Sequence, residues 1–173
     1  MEQKKPMTHV VAGLLIAAII VVFAIVTQFL GLAQQSSIGW LQYILIIGAL
    51  IFFVNQYGKA NDYTKTFGNL FAYGFKATAV FTVIFIVFLI IFFLLFPEFK
   101  EKTFEVATTE MEKNEKLSDE QIEQGINMMR KFFWVGLVGG SMLVLIIVGC
   151  IGSLLGAAIT KKRPYNPLEQ PGV

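Results

Sequence analysis

Residues 132–160 read FFWVGLVGGSMLVLIIVGCIGSLLGAAIT, with no Asp, Glu, Lys or Arg. A bilayer core is about 30 Å thick and a helix rises about 1.5 Å per residue, so roughly 20 apolar residues cross it. This stretch is long enough, and it is not alone. Residues 10–33 and 38–58 are equally free of charge, and 77–97 is clean with Lys76 at its edge. Four such runs in a chain of 173 residues with mean hydropathy +0.66 leave too little polar surface for a water-soluble domain. The reading is an all-α, polytopic membrane protein. Its four transmembrane helices lie at about 10–33, 38–57, 70–97 and 132–160, in a single domain over 1–163.

The connections complete the plan. Gln34-Gln35-Ser36-Ser37 is a short polar turn. It makes the first two spans antiparallel neighbours, with Ser36 or Ser37 as N-cap. Thr66 caps the third helix, and Pro97 ends or kinks it, because proline disfavours helical geometry at the residue before it. Residues 98–131 form the one sizeable hydrophilic segment, read as an αα-hairpin outside the bilayer. Phe104, Ala107 and Met111 share one face of its first arm, and Asn114-Glu115-Lys116 makes the turn. Its second arm opens with a capping box, Ser118 with Gln121, and a Leu117–Ile122 staple. Asp119 and Glu120 lie in the first turn, where the helix dipole favours them. That arm then runs unbroken into the fourth span. The last ten residues hold Pro164, Pro167 and Pro171 and read as an extended tail.

Lysine and arginine collect on the cytoplasmic side of a membrane protein. The side holding both termini and the 55–65 loop carries eight basic against three acidic residues; the other side carries six against nine. Both termini are therefore expected in the cytoplasm, with the acidic hairpin outside. Trp40 and Trp134 fall at the outer interface and Tyr57, Tyr63 and Tyr73 near the inner one. The first run is too long for a signal-peptide core, so it is read as a retained helix despite the Gly31-Leu32-Ala33 that imitates a cleavage site.

Small residues mark the fourth span as the packing centre. Gly136 and Gly140, Gly149 and Ser153, and Gly152 and Gly156 are each four apart, a spacing that lets helix backbones approach. The same face could also serve a homo-oligomer. Phe81, Phe85, Phe88, Phe92, Phe96 and Phe99 form an aromatic stripe on the third span. It meets lipid, fills gaps beside glycine-rich helices or offers a face to another membrane protein. Gln28, about six residues inside the first span, is the polar candidate at membrane depth, suited to an interhelical hydrogen bond or a substrate contact.

Catalytic and cofactor signatures are not found. One histidine, His9, and one cysteine, Cys150, supply no metal cluster, and the hairpin acids do not follow a calcium-loop pattern. No phosphate loop, Gly-x-Ser-x-Gly or His-Glu-x-x-His is present. The net charge of +2 gives no case for nucleic acid. No cofactor is expected, and the expected partners are membrane lipids and either a second copy or another membrane protein.

The segment Thr66-Phe67-Gly68-Asn69-Leu70-Phe71-Ala72-Tyr73-Gly74-Phe75-Lys76, the exit Phe96-Pro97-Glu98-Phe99 and the ending Gly156-Ala157-Ala158-Ile159-Thr160-Lys161-Lys162 carry a resemblance over most of the chain. Their pattern resembles an uncharacterised family of bacterial four-helix integral membrane proteins, known as a domain of unknown function. The resemblance implies a bacterial inner membrane and no particular activity. The functional expectation is a non-catalytic structural, assembly or accessory subunit. The alternative is a small oligomeric transporter or channel, and a lipid-active enzyme using Asn55, Gln56, Asp62 and Lys65 is a third.

Overall fold

A computed structural model describes residues 6–33, 35–113 and 117–163. Its elements are α1 (His9–Phe29), α2 (Ser36–Ala60), α3 (Phe67–Leu95), α4 (Pro97–Glu112) and α5 (Asp119–Ile159), with no strand among the described residues. Helices α1, α2, α3 and α5 are each long and apolar enough to cross a bilayer. The protein is a multi-pass membrane protein of four spanning helices, with α4 as a hydrophilic arm folded back on α5. The expected turn at 114–116 and the tail at 164–173 lie outside the described residues.

Local chemistry sets the helix ends. Thr8 Oγ1 accepts from Val11 N–H at 3.3 Å and opens α1. At the other end Gly31 adopts φ +71, Gly31 N–H donates to Gln28 O at 3.1 Å, and Leu32 N–H donates to Thr27 O at 2.8 Å. This is a Schellman cap, which needs a left-handed residue that glycine supplies without strain. Helix α1 therefore stops at Phe29, four residues short of the end read from hydropathy. The entry to α2 also differs from expectation. Gln35 is the N-cap, without a side-chain bond, and Ser36 and Ser37 are already helical.

Thr66 caps α3 as expected, its Oγ1 accepting from Asn69 N–H at 3.3 Å. Phe96 leaves the helical region (φ −126, ψ 70), and Pro97 becomes the first residue of α4. Proline thus makes a break here, since it tolerates the first turn of a new helix but not the interior of an old one. The capping box of α5 is complete: Ser118 Oγ accepts from Gln121 N–H at 3.3 Å, and Gln121 Oε1 accepts from Ser118 N–H at 3.0 Å. From there 41 residues run without interruption, a rod about 61 Å long.

Helix order in space departs from order in sequence. The short α1–α2 connection leaves those two helices with little contact; α1 lies mainly along α3, and α2 mainly along α5, while α3 and α5 form the central pair. Small residues explain this choice. Gly74 and Thr78 on α3 meet Ser153 and Gly149 on α5. A Cβ at Gly74 would stand 2.7 Å from Ser153 Oγ, and one at Gly149 would overlap the Thr78 side chain. Each hydroxyl satisfies itself on its own helix: Thr78 Oγ1 donates to Gly74 O at 3.0 Å and Ser153 Oγ to Gly149 O at 2.6 Å. The seam is therefore reciprocal, a hydroxyl knob from each helix entering the glycine notch of the other. Farther along α5, a Cβ at Gly152 would lie 3.2 Å from the Cα of Ile47, and one at Gly156 would lie 3.3 Å from that of Ile51. On the other side of α3, a Cβ at Gly13 of α1 would come within 2.8 Å of Ala77 O. Ile16, Ile20, Ile46, Leu50, Val54, Leu70 and Phe81 fill the core between these seams.

Beyond α5 the chain crosses the end of the bundle that carries the termini. Thr160 packs on Gly58, Arg163 N–H donates to Tyr63 O at 2.9 Å, and Lys162 Nζ sits 5.2 Å from the centre of the Phe67 ring. At the opposite end α4 packs along α5, with Phe104 buried and edge-on to Phe133 at 5.5 Å and Ile122 buried in the first turn of α5. Arg130 bridges the two arms, with its guanidinium 4.5 Å from the Phe104 ring and 2.7 Å from Glu101 Oε2.

A polar cleft in the hairpin half of the bundle

Glycine seams close the middle of the bundle in the half near the termini, where a hollow lined by Asn55, Gln56, Lys59 and Tyr63 lies on the α2 side; between the four helices the bundle opens in the half near the hairpin. A cleft of about 420 Å³ lies there, and all four spanning helices line it. Its mouth is at Gln28, Ala33 and Ile38, where α1 passes to α2. Its floor is Phe85, Val144 and Leu145. Phe85 lies ten residues inside the end of α3, so the cleft reaches about 15 Å down, half the thickness of a hydrocarbon core.

Polar side chains converge on this space from three helices: Thr27 and Gln28 from α1, Gln42 and Tyr43 from α2, and Ser141 from α5. Phe85, Leu89 and Phe93 of α3 and Leu137 of α5 supply apolar wall. The Thr27 hydroxyl is satisfied locally, donating to Phe23 O at 2.8 Å. Among the described residues, Gln28, Gln42, Tyr43 and Ser141 make no side-chain hydrogen bond. None of the described residues lining the cleft is charged.

The sequence singled out Gln28, and the structure places it at this mouth, one residue from the end of α1 because Gly31 ends the helix early. Gln42, Tyr43 and Ser141 were not singled out. Each is unremarkable alone, and only the rotation of three helices brings them together. Of the glycines on α5, Gly149, Gly152 and Gly156 are at close helix contacts, as is Ser153. Gly136 and Gly140 have nothing within 4 Å of a Cβ position, and Gly140 lines the cleft.

The aromatic stripe turns inward. Phe81, Phe85 and Phe92 are buried, Phe88 and Phe96 half-buried, and the exposed side of α3 is instead Val83, Val87, Ile91, Leu94 and Leu95. At the hairpin end the stripe becomes a ring cluster. Phe29 of α1 meets Phe96 edge-on at 5.8 Å and Phe99 at 5.5 Å, which ties α1 to the α3–α4 break. Near the termini Tyr57 and Tyr73 stack at 4.1 Å, with the Tyr73 hydroxyl buried and unpartnered.

A smaller hollow between α4 and α5 is lined by Glu112, Asp119 and Glu123 with Thr108 and Asn127. Among the described residues, no group of three His, Cys, Asp or Glu is arranged to hold a metal ion.

No curated protein and no solved structure matches the chain. A family model does, described as "Protein of unknown function (DUF4199)", and it matches residues 11–162, from the first turn of α1 to the segment that follows α5. The four spans, save the first two residues of α1, and the cleft between them fall within that match, as does α4, and the chain belongs to the DUF4199 family.

Proposed function

We propose that this is a non-catalytic integral membrane protein that works by association within the bilayer, as a structural, assembly or accessory subunit. The supporting observation is a bare notch on α5. Gly136 and Gly139 have nothing within 4 Å of a Cβ position, and exposed Phe132 and Leu143 flank them on the same face. Glycine between large residues is the pattern that helices use to pack in lipid, where there is no hydrophobic drive and close approach must supply the contact. The face is self-complementary, since one copy offers both notch and knobs, so a second copy of this chain is the proposed occupant. The proposed unit is one membrane domain over 1–163 with a tail at 164–173. The proposed setting is a bacterial inner membrane with both termini cytoplasmic, supported by the basic residues at the termini end and the acidic hairpin opposite.

The test is oligomeric state in lipid discs, by single-molecule photobleaching of labelled full-length chain. Wild type is expected as a dimer and Gly139→Leu as a monomer with an unchanged melting curve. A monomeric wild type would remove this reading.

The cleft favours a second reading, a small transporter or channel, because polar groups inside the membrane boundary, above an apolar floor, are the start of a path. Below its floor, however, the glycine seams leave no room. Transport would need those seams to part, and flux of solute into sealed vesicles carrying the pure protein is its test.

A further inference from the structure

The cleft carries an inference that does not depend on self-association. Gln28, Gln42, Tyr43 and Ser141 present hydrogen-bonding groups at or below the membrane surface with no protein partner among the described residues. An amide left unpaired in hydrocarbon costs several kcal/mol, so these groups must meet something polar. Water alone would satisfy them but would also have to wet the Phe85 and Phe93 rings. A molecule with a polar head and an apolar body matches both kinds of wall.

Two further observations narrow its class. Lys102 Nζ stands 3.9 Å from a Cβ position at Gly31, in the turn beside the mouth, but no described lining residue is charged, so an ionic head inside the cleft would lie without a counter-charge, which favours a neutral head. The seam between α2 and α5, tight at Gly152 and Gly156, is parted at the cleft: Gly39 and Gly140 both line it with nothing within 4 Å of a Cβ position. That parting gives a hydrocarbon chain a way out to the bilayer.

We propose that the cleft binds an uncharged amphipathic lipid, its oxygen-bearing head among Gln28, Gln42, Tyr43 and Ser141, its chain leaving between α2 and α5. The shared chemistry is a neutral oxygen head, whether a hydroxyl or a ring carbonyl.

Native mass spectrometry of the full chain, titrated with three probes, tests this. The probes are 1,2-dioleoylglycerol, decylbenzoquinone and the anionic dioleoylphosphatidylglycerol. At least one neutral probe should form a 1:1 adduct at least tenfold more tightly than the anion, and which one does so identifies the head. The double variant Gln28→Leu with Gln42→Leu should weaken that adduct at least tenfold. Gly140→Leu, which fills open space without a clash, should weaken it as much while melting like wild type. The proposal is overturned if neither neutral probe binds, if the anion binds as well, or if both variants bind like wild type.

Discussion

The two halves of α5 carry the same residue in opposite settings. Near the termini, Gly149, Gly152 and Gly156 are pressed against α3 and α2; near the hairpin, Gly136, Gly139 and Gly140 touch nothing. A small residue is therefore not in itself a packing site. It becomes one when the facing helix supplies a knob of matching size, as Thr78 does for Gly149 and Leu50 for Gly152. Where no knob is supplied, the same lack of a side chain leaves open space: at Gly140 it adds to the polar cleft, and at Gly136 and Gly139 it leaves a bare notch on the outer face.

Introducing leucine at both ends gives the sharpest break of that comparison. Gly149→Leu drives its side chain into Thr78, and overpacking of this kind costs about 3 kcal/mol or more. No folded bundle is expected by thermal melting in detergent. Gly139→Leu, ten residues away on the same helix, should stay within about 0.5 kcal/mol of wild type. Equal effects would show that the two halves are packed alike.

The hairpin offers a second contrast, because its core is a ring and not a glycine seam. Phe104→Ala removes a fully buried aromatic and should cost about 3 kcal/mol in the docking of α4. Limited proteolysis should then cut within 98–113 while α1, α2 and α3 stay protected. Cleavage throughout the chain would mean that the hairpin holds the bundle together.

A smaller effect is expected at Arg130. Its ion pair with Glu101 is about half exposed, and it stacks on the buried Phe104 ring from a half-exposed position, so Arg130→Ala should cost about 1 kcal/mol. Part of that loss should vanish in high salt, read as a narrowing gap between variant and wild-type melting temperatures.

The smallest expected change is at the reciprocal seam itself. Ser153→Ala removes a hydroxyl bonded within its own helix, and polar contacts between membrane helices average about 0.6 kcal/mol. A loss several times larger by the same melting measurement would mean that the hydroxyl, and not the notch, joins α3 to α5.

Much of this architecture was legible in the residues. Charge-free runs marked the four spans, since hydrocarbon tolerates little else. Ser118 and Gln121 marked the start of α5, and Pro97 the end of α3, because capping and proline chemistry act over a few residues. Gly31 was legible too, as a left-handed cap, but hydropathy counted through it and carried α1 to residue 33. The partners of each helix were harder to read. Gly149 and Ser153 stood out on α5, yet their counterparts Gly74 and Thr78 follow the same spacing and were passed over among the phenylalanines of α3. The cleft was least legible, because Gln28, Gln42, Tyr43 and Ser141 come together only through the rotation of helices about their axes, which no local pattern encodes.

Helix α5 has one further consequence. It is a rod with no proline between Asp119 and Ile159, gripped at Gly149 against α3. About 45 Å of it lies on the hairpin side of that grip and about 15 Å on the side of the termini. The rod is thus a cantilever, its root fixed inside the bilayer and its long arm carrying the hairpin. Gly152 and Gly156 clamp the short arm against α2, so a load on the hairpin is taken up along the whole root, from Gly149 to where Thr160 rests on Gly58, and not at a single point.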